Sequence, residues 1–269
     1  MSLSIQGKTA IVTGSANGVG LAIARHFLDS GANVMFADRD EARLVDECGT
    51  TDQQQDQTRY FAGDLREKLT VANLLSATID AFDRVDILVN ASRQVMTSDP
   101  LDPSDDTVEM LMEQNMYTAL RLSQAVSKRM ICQAKEDGIE DGSIGSIVNI
   151  SSIAAQRTHP DLMAYSISAA ALDQATRSLA VALAPHRIRV NGVAFGSLMS
   201  ASLKKSLSDT DGLREEIMQC TPMGRIASAR EVTGAVQFLS SDGAGFMTGQ
   251  IVTVDGGRTL LDNVSRAAH

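Results

Sequence analysis

Residues 8–38 read KTAIVTGSANGVGLAIARHFLDSGANVMFAD. The apolar run 10–12 reads as a short buried strand, and it ends in a turn carrying Gly14, Gly18 and Gly20. Val19, Ala22, Ile23, Phe27 and Leu28 then fall at helical spacing. A second apolar run, 34–37, reads as the next strand and is closed by Asp38. Strand, turn, helix and strand in that order begin a parallel α/β unit.

Glycine lets the chain turn tightly and bring backbone N–H groups close to a ligand. The first turn of the helix that follows adds unpaired N–H groups and a positive dipole end, a setting for a pyrophosphate. A carboxylate closing the second strand, as Asp38 does, suits the ribose hydroxyls of an adenosine and repels a 2′-phosphate. A loop that merely needs glycine is the competing reading. It does not account for the strand, the helix and the acidic residue together, so 8–38 is read as a dinucleotide-binding unit.

The 269 residues suit one α/β domain, and an apolar fraction of 43% is enough for a large core. A formal charge of −9 argues against nonspecific nucleic-acid binding and favours a soluble acidic protein. Cys48, Cys132 and Cys220 are far apart and lack metal-ligand spacing, and His159 and His186 are isolated, so no metal is expected. The opening MSLSIQGK has no apolar core, and no apolar run is long enough to span a membrane. These features are read as a cytoplasmic protein that does not contact membranes.

Further along, 41–48 reads as a short polar helix, 50–58 as an exposed Gln/Asp-rich stretch and 59–62 as a third strand. Asp64 is placed to cap a helix beginning near Arg66. Helical periodicity covers 69–82, and 86–90 reads as the fourth strand. One long helix is expected over 105–134, then a charged surface insertion over 135–145. Strands at 147–150, 188–194 and 251–254 alternate with helices at 162–183 and 230–240, and 197–219 reads as a charged helix pair. The expected fold is α/β: a single-domain Rossmann fold over 1–269, with a doubly wound seven-stranded parallel sheet and helices on both faces.

The spacing Thr13-Gly14-x-x-x-Gly18-x-Gly20 resembles the short-chain dehydrogenase/reductase family, and the resemblance runs from Lys8 to Gly257. It implies an NAD(H)-dependent oxidoreductase that interconverts a secondary alcohol and a ketone. NADP is the less favoured cofactor because of Asp38, although Arg39 beside it could attract a 2′-phosphate. The implied cofactor cradle comprises Gly14, Ser15, Asn17, Gly18, Val19 and Gly20, then Asp38, Arg39, Asp64 and Leu65, then Asn90, Ala91, Ser92, Tyr165 and Gly196. The implied catalytic residues are Ser152, thirteen before Tyr165, which would hold the substrate oxygen; Tyr165, the proton-transfer group; and Asn115. In the family that asparagine ties an ordered water to a catalytic lysine. The partners implied are a small-molecule alcohol or ketone and further copies of the chain, as a dimer or tetramer.

Three departures from the family pattern stand out. The motif Y-x-x-x-K reads Tyr165-Ser166-Ile167-Ser168-Ala169, and no lysine lies between Lys135 and Lys204. The family's Asn-Asn-Ala-Gly after the fourth strand is here Asn90-Ala91-Ser92-Arg93, with one asparagine missing, Ser92 for the glycine, and Arg93 beside the expected nicotinamide pocket. Phe195 replaces a proline after the sixth strand, either packing against the ring or loosening the turn. A phenol's ordinary pKa is about 10, and a nearby cation lowers it, so loss of the lysine implies either a weak catalyst or an active enzyme in which water or another cation assists Tyr165. Two alternatives stay open: a 3-oxoacyl-carrier-protein reductase, with Arg121, Lys128 and Arg129 as a basic patch, and a non-catalytic NAD-binding or regulatory protein. Met199 and Leu203 are candidates for an apolar substrate lining. Arg93 and Arg157 are the first candidates if catalysis does not rest on Tyr165.

Overall fold

The computed structural model describes residues 2–50 and 56–262; residues 51–55, within the Gln/Asp-rich stretch, lie outside the described residues. Seven strands form one parallel sheet: β1 (Thr9–Thr13), β2 (Asn33–Asp38), β3 (Thr58–Ala62), β4 (Ile87–Asn90), β5 (Gly145–Ser152), β6 (Ile188–Phe195) and β7 (Ile251–Val254). Their order is β3-β2-β1-β4-β5-β6-β7. The chain therefore winds outward from β1 in one direction and, starting at β4, in the other, as in the Rossmann fold.

Period-two alternation sends successive β1 side chains to opposite faces. Val12 joins Val34 and Phe36 under Ile23 and Phe27 of helix α1 (Gly18–Asp29), Leu44 of α2 (Glu41–Cys48) and Val232, Val236 and Leu239 of α9 (Arg230–Ser240). Ile11 joins Met35, Leu88 and Ile147 on the other face. Leu74 of α3 (Lys68–Phe82), Leu122, Val126 and Met130 of α5 (Thr118–Glu136) and Ala180 of α6 (Met163–Leu183) cover that side. The central strands are buried on both faces, which is why they read as continuous apolar runs rather than alternating ones. The expected helix pair is α7 (Ala201–Asp209) and α8 (Leu213–Gln219).

Two local expectations are corrected. The helix expected over 105–134 is not continuous: α4 (Thr107–Leu111) passes through a π-helical turn, Met112–Tyr117, before α5. Asp64 does not cap α3, which starts at Lys68 after Glu67. Its carboxylate instead takes the Arg66 backbone N–H at 3.0 Å and the Arg66 guanidinium, which holds it below the usual carboxylate range.

The C-terminal ends of β4 and β5 are joined to the helices above by a buried polar chain. Asn90 Nδ2 donates to Ser123 Oγ of α5 at 3.1 Å and to Asn149 Oδ1 of β5 at 2.8 Å, and Asn149 Nδ2 donates to Thr176 Oγ1 of α6 at 2.8 Å. One turn before Thr176, Asp173 is also buried; its Oδ1 has no hydrogen-bond partner, and burial pushes its carboxyl up. A carboxyl raised in the folded state stays protonated to higher pH there than in the unfolded chain. Ionisation therefore withdraws stability as pH rises through and above the ordinary carboxylate value of about 4. Asp173→Asn should melt higher than the parent at pH 7, with the gap closing as pH falls below about 4. Melting curves across that range check it, and a gap that is absent or widens on acidification contradicts it.

Candidate active site

The site begins where β1 stops. Gly14 has φ +66°, and a Cβ there would lie 2.8 Å from Ala91 O and from the Ser92 backbone. Gly20 packs equally close: a Cβ on it would collide with Gly14 O. Thr13 completes the contact, its Oγ1 accepting hydrogen bonds from Ala91 N and Ser92 N, both at 3.0 Å. The glycine turn and the loop leaving β4 are thus one unit, at the point where the sheet's winding reverses.

Above that junction runs a groove of about 410 Å³. Its floor and one wall are Gly14, Asn17, Gly18, Val19 and Gly20, with Asp38 and Arg39 at the end of β2. Gly63, Asp64 and Leu65 follow β3; Ala91, Ser92, Arg93, Gln94 and Val95 follow β4; Gln114 and Ser200 close it. A second cavity of about 230 Å³, lined in part by Lys8, Arg84, Asp86 and Arg189, lies at the N-terminal ends of the strands, away from the edge where parallel sheets bind ligands.

The groove fits a dinucleotide on three observations. Gly18 has φ +60°, with open space where a Cβ would stand. Helix α1 has no side-chain cap on its first N–H groups and no acidic residue in its first turn, so donors and the positive dipole end face the groove. Asp38 accepts from Ala16 N at 3.1 Å through Oδ2, and through Oδ1 from Arg39 N at 2.7 Å and Asp40 N at 3.2 Å. The carboxylate is thereby oriented and keeps acceptor capacity for ribose hydroxyls.

Four residues expected in the cradle stand outside its lining. Ser15 is fully buried, with its N–H and hydroxyl both turned to Ala37 O. Asn90 is committed to the chain through Asn149. Gly196 packs against Asp255 and Ile153 and bonds Val254 O. Tyr165 stands beyond the groove, in contact with its wall through Arg93. Gly63, Gln94, Val95, Gln114 and Ser200 were not anticipated; Gly63 adjoins Asp64 in the sequence, whereas only three-dimensional proximity marks Gln114 and Ser200. Met199 and Leu203 do not line the groove.

At the inner end, Tyr165 of α6 is 6% exposed and Ser152 at the end of β5 is 8% exposed. Ala154, whose N–H donates to Ser152 Oγ at 3.1 Å, packs in the same apolar cluster as Tyr165. One helical turn past Tyr165, Ala169 is buried. Arg93 Nη1 donates to Tyr165 Oη at 2.5 Å, and its guanidinium carbon lies 4.1 Å from the centroid of the Phe195 ring. Phe195 is the last residue of β6, one beyond the expected strand end, and lies buried beneath Arg93. Arg157 is elsewhere, exposed and bonded to Thr259 O.

Asn115 sits in the π-helical turn, 5% exposed. Its side chain accepts from Gln94 N at 2.8 Å and donates to Gln94 O at 2.9 Å and to Ser168 Oγ at 3.1 Å. It thus joins the loop carrying Arg93 to the helix carrying Tyr165. Among the described residues, no group of His, Cys, Asp and Glu could hold a metal ion.

A family model described as enoyl-(acyl carrier protein) reductase matches residues 14–259. The chain belongs to the short-chain dehydrogenase/reductase family. It is 30% identical to an L-rhamnose 1-dehydrogenase (NAD(P)(+)) from a Sphingomonas species, covering 94% of this chain and 96% of that one. It resembles a 7α-hydroxysteroid dehydrogenase complexed with NADH and 7-oxo glycochenodeoxycholic acid, at TM-score 0.82 and 30% identity over 95% of each chain. A gluconate 5-dehydrogenase from Burkholderia cenocepacia in complex with NADP and tartrate superimposes at TM-score 0.84 with 27% identity, over 97% of this chain and 98% of that one. As a member of this family the chain is an oxidoreductase acting on CH–OH groups with NAD(P) as acceptor.

Removing the Thr13 hydroxyl tests the junction. Thr13→Val orphans two N–H groups, at a cost of about 1–3 kcal/mol in urea unfolding, and should weaken dinucleotide binding by fluorescence titration. Thr13→Ser should retain both properties. A Thr13→Val protein as stable as the parent would mean that the loop stands without that acceptor.

Proposed function

We propose that this chain interconverts a secondary alcohol and a ketone with NAD(H), acting throughout residues 1–269 as one nucleotide-binding domain. The observation that carries this reading is the buried Tyr165 hydroxyl, held by a residue of the groove wall. Gly14, Asn17, Gly18, Val19 and Gly20 would hold the pyrophosphate, Asp38 the adenosine ribose, and Asp64 and Leu65 the adenine side. Bound there, the dinucleotide supplies the acceptor for the carbinol hydrogen, taken as hydride with two electrons, or returns it to the ketone. Tyr165 Oη moves the remaining proton: as phenolate it takes the hydroxyl proton during oxidation, and as phenol it gives one to the carbonyl oxygen during reduction. Ser152 Oγ holds that oxygen. Asn115 acts as a positioning residue through Gln94 and Ser168.

The preference for NAD over NADP rests on Asp38, whose charge opposes a 2′-phosphate. Arg39, exposed on the same wall, is the group that would favour NADP. A carrier-protein substrate has the description of the matching family model in its favour. Against it, Arg121 and Arg129 are already paired, with Glu113 and with Glu136. A homo-oligomer is supported by Ile167 and Val181, apolar and exposed on α6. The free thiols of Cys132 and Cys220, both exposed, suit a reducing, cytoplasmic setting.

Calorimetry should give tighter binding of NADH than of NADPH, and Asp38→Ala should narrow the gap by about tenfold, equivalent to ~1.4 kcal/mol. Equal or tighter NADPH binding in the parent overturns the assignment. In a screen over alcohols, sugars, steroids and acyl thioesters, at least one carbinol should be oxidised, and Tyr165→Phe should lower that rate by about a hundredfold or more. A harmless Tyr165→Phe would remove the tyrosine from the mechanism. Acyl thioesters as the sole substrates would favour the carrier-protein reading.

A further inference from the structure

Arg93, Tyr165 and Phe195 come from three distant parts of the chain and meet at one point. The Arg93 guanidinium rests on the face of the Phe195 ring, 4.1 Å from its centroid, and donates to Tyr165 Oη at 2.5 Å. Among the described residues it forms no ion pair, so its charge is not spent on a carboxylate. The hydroxyl that receives it is nearly buried, where a charge-assisted bond is weakly screened by water.

Both partners are held in place from outside. Thr13 Oγ1 fixes Ser92 N, immediately before Arg93, and Asn115 fixes both backbone polar groups of Gln94, immediately after it. Asn115 also reaches Ser168 Oγ, which itself donates to Tyr165 O at 2.9 Å. Loop and helix therefore cannot separate without breaking this set of bonds. Phe195 is 4% exposed and pinned in β6 opposite Ser152, so the ring is a fixed shelf. Ala169, one turn past Tyr165, offers only a methyl group.

We propose that Arg93 is the cation that tunes Tyr165 in this chain, standing in for the side chain absent at position 169, with Phe195 as the shelf that aims it. The inference rests on Tyr165 as the proton-transfer group of the proposed reaction. Arg93 acts through Tyr165 as a positioning residue, and its charge favours the phenolate that oxidation requires. A guanidinium is in general a permanent charge, and its flat face stacks on an aromatic ring as an ammonium cannot. The three departures from the family pattern are then a single exchange. The cation is delivered from the β4 loop rather than from the next turn of α6.

The test reads the phenol without any cofactor present. The chain has three tyrosines, so subtracting the near-ultraviolet alkaline titration of Tyr165→Phe from the parent's isolates Tyr165. In Arg93→Gln that component should move to higher pH, the direction expected on removing a neighbouring opposite charge. Arg93→Lys should fall between the two. Phe195→Leu keeps the charge and removes the shelf; it should shift the component in the same direction by less, and it carries the test if Arg93→Gln does not fold. Coincident titrations of the parent with Arg93→Gln, or with Phe195→Leu in its place, overturn the proposal.

On a carbinol substrate, the pH dependence of kcat should move with the titration while KM changes little. Ala169→Lys added to Arg93→Gln should bring the profile back, and Ala169→Lys alone should gain little, because the parent already has its cation. A shifted titration with no turnover of any carbinol, by parent or variants, would sink the dehydrogenase reading and leave the Arg93–Tyr165 contact standing. Turnover with an unmoved titration would do the reverse.

Discussion

Gly14 and the exit of β4 lie so close that a Cβ on the glycine would stand 2.8 Å from Ala91 O, and the arrangement above the sheet depends on that approach. A parallel sheet joins its strands through crossovers, so the C-terminal ends of β1 and β4 receive no hairpin to hold them together. The missing Cβ and the Thr13 hydroxyl do this instead. The loop they hold leads directly into Arg93 and Gln94. The glycine turn that lines the groove therefore also sets the height of the residue that meets Tyr165.

The groove's electrostatics follow from how each charge near it is satisfied. The chain is strongly acidic, yet of the two carboxylates in the lining Asp64 lies against Arg66, and Asp38, held by backbone N–H groups, keeps its charge free. Arg93 differs in having a ring face and a hydroxyl as its partners. Neither neutralises it, and both offset part of the cost of withdrawing it from water.

The π-helical turn between α4 and α5 has a corresponding role. A helix with i→i+5 bonding is wider than an α-helix, and such turns are frequent at functional sites. This one contains Asn115, whose amide binds both polar groups of Gln94 and the hydroxyl of Ser168. The loop after β4 has no regular structure of its own, and these bonds substitute for it.

Local periodicity and turn chemistry are written in the chain itself. The runs 10–12 and 34–37, the glycines between them and Asp38 were legible because a buried parallel strand must be apolar on both faces and a tight turn needs glycine. The spans of α2, α9 and β7 also emerged as read, the helices from their polar and apolar periodicity. The break at Met112–Tyr117 was hidden, since one residue added to a helical turn barely disturbs the apolar spacing. Ser15 was expected in the cradle because it lies inside the glycine motif, but the turn rotates its hydroxyl back to Ala37 O. The sequence by itself determined the fold, the glycine turn and the presence of alanine at position 169. Only the tertiary structure decided that Arg93, Tyr165 and Phe195 meet, because they are brought together by sheet order and helix packing. No spacing along the chain encodes a contact between side chains 72 residues apart.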